Sequence, residues 1–114
     1  MRKAINPPNA PSAIGTYNQG IETNGVVFTS GQVGIDPSTG QLVGGGIDMQ
    51  AAQTLKNIEA ILNSVDIGKD SIAKLTVFVK NLDDFQSVNK AFEKFFNGIE
   101  YPARSTLEVS ELPM

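Results

Sequence analysis

The spacing of apolar residues predicts a helix in the middle of the chain. Its stripe has steps of four, three, four and three and consists of Ala51, Leu55, Ile58, Leu62 and Val65. These steps follow the period of an α-helix with one buried face. We therefore predict a first helix from about Met49 to Val65, with Asp48 as its N-cap.

A second apolar stripe follows closer to the C-terminus and consists of Phe85, Val88, Phe92 and Phe95. Asp83 precedes it as a candidate N-cap, and Gly98 follows it as a left-handed stop. We predict a second helix from about Asp84 to Asn97. The Phe residues at this spacing indicate a hydrophobic core and not a set of rings that stack on bases.

Period-two alternation predicts the strands. Asn24-Gly25 is typical of a two-residue hairpin turn and predicts a β-hairpin between Tyr17 and Ser30. The turn Asp36-Pro37-Ser38-Thr39-Gly40 predicts further strand structure on its two sides. Residues 73–80 alternate so that one face is apolar, and this strand is expected to pack on the first helix.

A last strand follows Tyr101-Pro102. Leu107 and Val109 point to one side of it, and the other side is polar, with Arg104, Thr106, Glu108 and Ser110. The predicted fold is α+β: residues 1–114 form a single domain with two helices on one face of a mixed sheet. Apolar residues on the open face, such as Phe78, then need cover from another subunit.

Composition excludes several kinds of chemistry. The chain has no His and no Cys, which removes Ser-His-Asp hydrolysis, thiol nucleophiles, disulfides and Cys-based metal sites. Its net charge is -3, without a basic run, so nucleic acid is a poor candidate partner. No stretch approaches the roughly 20 apolar residues of a membrane span, and we expect a cytoplasmic protein.

The candidate site residues are ambiguous from pattern alone. Arg104 follows a proline on a strand and suits a bidentate grip on a carboxylate, but an exposed Arg104 paired with Glu108 or solvent is the more common arrangement. Tyr17 and Ser30 either line a pocket or complete hydrogen bonds at strand ends. Gly31 either admits a ligand or marks a bulge. Residues 44–46 are glycines without the Lys and Ser/Thr of a P-loop, and predict a turn.

Several segments together resemble the RidA (YjgF/UK114) family in order and spacing. They are residues 10–20 (Ala-Pro-Ser-Ala-Ile-Gly-Thr-Tyr-Asn-Gln-Gly), 29–32 (Thr-Ser-Gly-Gln), 53–57 (Gln-Thr-Leu-Lys-Asn), 76–80 (Thr-Val-Phe-Val-Lys), 88–89 (Val-Asn) and 102–106 (Pro-Ala-Arg-Ser-Thr). The resemblance covers nearly the whole chain.

This resemblance implies a chorismate-mutase-like fold assembled as a homotrimer with clefts between subunits. It also implies hydrolysis of reactive enamines and imines, of the 2-aminoacrylate and 2-iminobutanoate type, to 2-keto acids and ammonia. Arg104 is the implied catalytic residue and binds the substrate carboxylate. The other implied substrate-binding residues are Tyr17, Ser30, Gly31, Asn89 and Thr106. No cofactor and no metal are expected, because an imine is already electrophilic toward water.

Two departures from the family pattern affect these expectations. Thr16 stands where the family usually has Pro, and the sequence apparently lacks the final strand that carries a glutamate in relatives. Glu108 does not match that glutamate. A non-catalytic module that binds small carboxylates, such as 2-keto acids, for regulation is therefore the alternative function. A ribonuclease is disfavoured by the acidic charge and the absence of His.

Overall fold

A computed structural model describes all residues from Met1 to Met114. The first three strands form an antiparallel sheet in chain order: β1 (Lys3–Ile5), β2 (Gly20–Thr23) and β3 (Val26–Thr29). Asn24 and Gly25 have φ angles of 50° and 76° between β2 and β3, as a type I′ turn requires. The predicted hairpin is confirmed, whereas the sequence pattern did not reveal β1.

A two-residue hairpin follows, formed by β4 (Ile35–Asp36) and β5 (Gln41–Leu42). It lies where the turn at residues 36–40 predicted further strands. Gly34, just before β4, packs directly on the helix that follows: a Cβ atom there would lie 2.8 Å from the Cα of Gln50. The loop after β3 is thus held against that helix at a distance only glycine permits.

The first helix, α1, spans Gly46–Asn63 and therefore begins earlier than predicted. Its N-cap residue is Gly45, with φ of 96° and no side-chain cap hydrogen bond. Asp48 lies in the first turn, so its prediction as the N-cap is wrong. The glycine run folds into the left-handed backbone that starts the helix, and this shifts the start toward the N-terminus.

The second helix, α2, spans Phe85–Phe95 and follows a short 3₁₀ turn at Leu82–Asp84. Asp83 is not its N-cap, because the backbone N–H of Asp83 donates to the side chain of Asn81 and opens the 3₁₀ turn instead. Gly98 has φ of 77° just beyond the helix, as predicted for the stop.

Two strands flank α2 in the sequence, β6 (Lys74–Val79) and β7 (Ala103–Glu108), and they pair in parallel. The order β6, α2, β7 is thus a βαβ unit. Its core joins both helices to β6 and contains Leu55, Val79, Val88, Ala91, Phe92 and Phe96. A smaller cluster of Ile5, Ala10 and Ile61 joins α1 to the first sheet.

The expected single mixed sheet is instead three small sheets: β1–β3, β4–β5 and β6–β7. No strand of the chain bonds to both β1–β3 and β6–β7, so the two remain separate. The coarser prediction, an α+β fold with two helices, is correct. None of the helices is long and apolar enough to cross a membrane.

The faces of the sheets that point away from the helices carry exposed apolar side chains. Val27 packs toward α1, while its neighbours Val26 and Phe28 are 51% and 61% exposed. Phe78 and Leu107 are in register on β6 and β7 and are 54% and 46% exposed. The expectation that Phe78 lies on an open apolar face is therefore met.

Candidate active site

The parallel register of β6 and β7 decides where Arg104 points. Arg104 pairs with Leu75, and Thr106 pairs with Val77; both partners pack against the main core. Arg104 and Thr106 are half-buried, whereas Leu107 on the opposite face of β7 is exposed. The polar face of β7 thus lies toward α2 and not toward bulk water.

The side chain of Arg104 makes one hydrogen bond within the chain. Its Nη2 donates to Oδ1 of Asn89 on α2, over 2.7 Å. Of the alternative arrangement, an exposed Arg104 paired with Glu108 or solvent, the pairing with Glu108 is wrong: Oε1 of Glu108 accepts the backbone N–H of Leu82 at 2.9 Å. The chain has a single ion pair, between Lys69 and Glu59, so the guanidinium has no carboxylate partner.

Two aromatic rings of α2 also lie next to this guanidinium. The Cζ atom of Arg104 is 5.2 Å from the ring centroid of Phe85 and 4.8 Å from that of Phe92. Phe92 is buried, as the core prediction requires, but Phe85 is 39% exposed, so its assignment to the core is wrong. The sequence contains a signal for the contact between α2 and Arg104, because Phe85, Asn89 and Phe92 have the i, i+4, i+7 spacing of one helix face.

A cavity of about 290 Å³ opens beside Arg104. It is lined by Asn89, Phe92, Glu93, Tyr101, Pro102 and Arg104. Glu93, Tyr101 and Pro102 were not among the predicted site residues. Most N–H groups of the guanidinium have no partner in the chain, and the Glu93 carboxylate in the same lining forms no ion pair with Arg104. Free guanidinium donors beside a cavity can bind a small anion such as a carboxylate.

Thr106 extends the same face by two residues. Its Oγ1 atom is buried and has no hydrogen-bond partner in the chain. A buried hydroxyl without a partner is uncommon in folded proteins. Thr106 is not among the residues that line the cavity beside Arg104.

The other predicted residues lie around a second, smaller groove of about 110 Å³, which includes Tyr17 and Gly31 in its lining. The Tyr17 hydroxyl accepts the backbone N–H of Ile14 at 3.3 Å. Ser30 donates its hydroxyl to the carbonyl of Asn18 and its N–H to the carbonyl of Gln19. Tyr17 is 47% exposed, and a Cβ atom at Gly31 would meet nothing within 4 Å.

The structure thus brings the predicted residues into two groups. Arg104 and Asn89 are in direct contact, with Thr106 on the same strand face. Tyr17 and Gly31 line the other groove, and no residue lines both cavities. A single copy of the chain does not unite the two groups.

Comparison with known proteins identifies the family of the chain. The model of a family described as Endoribonuclease L-PSP matches residues 7–114. The chain is 45% identical over 115 residues to the 2-iminobutanoate/2-iminopropanoate deaminase of Salmonella typhimurium, covering 99% of this chain and 89% of the relative. The chain belongs to the RidA family.

Solved structures of RidA proteins have the same fold. A Rid family protein from Yersinia pestis superimposes with a TM-score of 0.95 at 46% identity, covering 99% of this chain and 90% of the other. TdcF of E. coli, crystallised with bound serine, gives a TM-score of 0.93 at 38% identity, covering 97% and 88%. The similarity therefore extends along nearly the whole chain.

Proposed function

We propose that this RidA chain hydrolyses imines of small 2-keto acids, and that Arg104 holds the substrate carboxylate. The observation that carries the proposal is the Arg104 guanidinium beside an open cavity, with one hydrogen bond to Asn89 and no carboxylate partner. A relative named 2-iminobutanoate/2-iminopropanoate deaminase, 45% identical, supports the substrate class.

The chemistry needs orientation more than acid or base strength. Water adds its oxygen to the imine carbon while one of its protons goes to the nitrogen. The resulting carbinolamine passes its hydroxyl proton to the nitrogen as the C–N bond breaks, which gives a 2-keto acid and ammonia. Arg104 stays protonated at physiological pH, so it anchors the carboxylate and transfers no proton. Holding the imine in one orientation toward water lowers the entropic part of the barrier.

Asn89 and Thr106 supplement this anchor. Oδ1 of Asn89 occupies one N–H of the guanidinium and limits its rotation, leaving the remaining N–H groups for a bidentate contact. Thr106 lies on the same strand face with an unpaired Oγ1 atom but outside the cavity lining, and its hydrogen bond to the substrate is proposed from the resemblance to the family.

We further propose that a homotrimer completes each site across a subunit interface, in a chorismate-mutase-like arrangement. Within one chain, Tyr17, Ser30 and Gly31 lie away from the Arg104 cavity. The exposed apolar faces of the sheets suit contacts between copies. Each cleft then combines Arg104, Asn89 and Thr106 of one subunit with the Tyr17 group of the next.

The test of the Arg104 role uses an imine produced in the assay. A threonine dehydratase generates 2-iminobutanoate in the presence of a competing imine trap, and the release of 2-ketobutanoate is followed. Wild-type protein accelerates the release, whereas Arg104→Ala loses about 100-fold, as expected when a charged anchor is removed. Arg2→Ala, at an exposed arginine, is the matched control and keeps full activity.

Three other results would contradict the proposed role of Arg104 or the proposed deaminase activity. Full activity of Arg104→Ala contradicts the proposed anchor. Binding of 2-ketobutanoate in a calorimeter without any turnover would favour the alternative, a regulatory carboxylate-binding module. Cleavage of single-stranded RNA by the same preparation would support an endoribonuclease activity instead of deamination. We do not expect this result, because the chain has a net charge of -3 and no His.

The shared cleft is tested by mixing two inactive variants, Arg104→Ala and Tyr17→Ala, after denaturation and joint refolding. In a randomly mixed trimer about a quarter of the clefts combine an intact Arg104 with an intact Tyr17 group. Activity recovers to about that fraction if the two groups come from different subunits. No recovery means that one chain supplies both groups.

A further inference from the structure

Two aromatic residues outside the predicted site contact Arg104, and we infer that they are positioning residues for the deaminase reaction. Phe85 and Phe92 together form an aromatic clamp. The clamp fixes the guanidinium of Arg104 so that its free N–H groups face the cavity. The inference rests on the proposed role of Arg104 as the carboxylate anchor.

The helical spacing places the clamp and Asn89 on one face of α2. Phe85 lies one turn before Asn89, and Phe92 lies about one turn after it. Both ring centroids are within 6 Å of Cζ of Arg104, at 5.2 and 4.8 Å, the range in which the negative face of a ring attracts a cation. One helix therefore supplies all three groups that contact the guanidinium.

The kind of group that contacts Arg104 matters for its role. A carboxylate partner would neutralise the guanidinium and compete with the carboxylate of the substrate. Aromatic rings attract the cation without occupying its N–H groups, and the Asn89 amide is neutral. The clamp therefore limits the motion of the side chain and leaves its charge and most of its donors for the ligand.

The burial of Phe85 distinguishes this role from ordinary core packing. Phe92 is 7% exposed and belongs to the core, whereas Phe85 is 39% exposed and is not part of either core cluster. Packing alone does not require an aromatic ring at position 85, while contact with Arg104 does. Phe85 is accordingly the position at which the clamp is best tested.

The experiment compares three variants of the full chain in the imine assay and in calorimetry with 2-ketobutanoate. Phe85→Leu keeps an apolar side chain but removes the ring. We expect KM and the Kd for 2-ketobutanoate to rise about three- to tenfold, the size of a partly exposed cation–π contact, with kcat changed less than about twofold. Phe85→Tyr retains the ring face and should restore wild-type values.

Phe95→Leu is the matched control because it makes the same change on the same helix. The Phe95 ring lies 4.6 Å from Nζ of Lys69 and not beside Arg104. It should lower the unfolding midpoint at least as much as Phe85→Leu, since Phe95 packs against the core, and leave KM and Kd unchanged.

The possible failures are distinguishable. If Arg104→Ala is inactive but Phe85→Leu binds 2-ketobutanoate like the wild type, the clamp is refuted and the anchor stands. Equal losses in Phe85→Leu and Phe85→Tyr also refute the clamp, because the ring face is then irrelevant. If Arg104→Ala is fully active, the anchor itself fails, whatever Phe85 does.

Discussion

The buried amide of Asn57 offers the sharpest test of how the loop that follows Gly31 is held. Asn57 is 1% exposed on α1. Its Nδ2 donates to the carbonyls of Val33 and Ile35 at 3.1 and 2.9 Å, and its Oδ1 accepts from Gln53 at 2.8 Å. One side chain thus joins α1 to the segment between β3 and β5.

Asn57→Ala removes both donated bonds together with the bond from Gln53. Each typical hydrogen bond contributes about 1 kcal/mol, and a buried group left without its partner adds to the loss. The carbonyl of Val33 keeps another bond, from the N–H of Ile35, which limits the penalty. We expect the free energy of unfolding to fall by about 2 to 4 kcal/mol.

The assay is urea unfolding followed by circular dichroism. The protein concentration is kept fixed, because in the proposed homotrimer association would add to the apparent stability. Asn63→Ala is the control, since Asn63 is exposed near the end of the same helix. It should change the free energy of unfolding by less than about 0.5 kcal/mol. If Asn57→Ala behaves like Asn63→Ala, the argument that this amide holds the loop is refuted.

Two smaller predictions concern the neighbouring loop and turn. Gly34→Ala places a Cβ atom 2.8 and 2.9 Å from backbone atoms of Gln50, so it should lower the free energy of unfolding by about 1 to 3 kcal/mol. Gly44→Ala is the control: its Cβ atom meets nothing within 4 Å, and the free energy of unfolding should hardly change in the same urea titration. Hydrogen bonds from the side chain and then the backbone N–H of Ser38 lower the pKa of Asp36. Stability linked to this carboxyl is present above its ordinary pKa and is lost as pH falls through the lowered value. Ser38→Ala removes the hydroxyl and keeps the backbone N–H, so it should raise the pKa of Asp36 in an NMR titration. An unchanged pKa would mean that the Ser38 hydroxyl is not a cause of the shift.

The sequence predicted those elements whose signals are local. Asn24-Gly25 predicts its hairpin because the turn needs positive φ angles at two adjacent residues, and the structure has both. β1 was missed because three residues before a pair of prolines form a strand only through pairing with β2. The two predicted helix caps were wrong because Gly45 occupies the N-cap position of α1, and Asp84 occupies that of α2 after a 3₁₀ turn capped by Asn81.

The site was less predictable for the same reason. Periodicity placed Arg104 on a polar strand face, but could not tell that this face lies against α2. That orientation depends on the parallel register with β6, which fixes Arg104 opposite Leu75. Phe85 was assigned to the core because apolar spacing does not reveal which end of a stripe extends beyond the packed region.

The βαβ unit also has a consequence for how the site can be exchanged between relatives. Arg104, its three contacts on α2 and the strand that orients it all lie within residues 74–108, whereas Tyr17, Ser30 and Gly31 precede α1. A crossover in the exposed turn at residues 38–40 therefore swaps one group without dividing the other. Chimeras joined there would pair the proposed carboxylate anchor of one protein with the Tyr17 group of another, so that the contribution of each group to substrate preference can be measured separately.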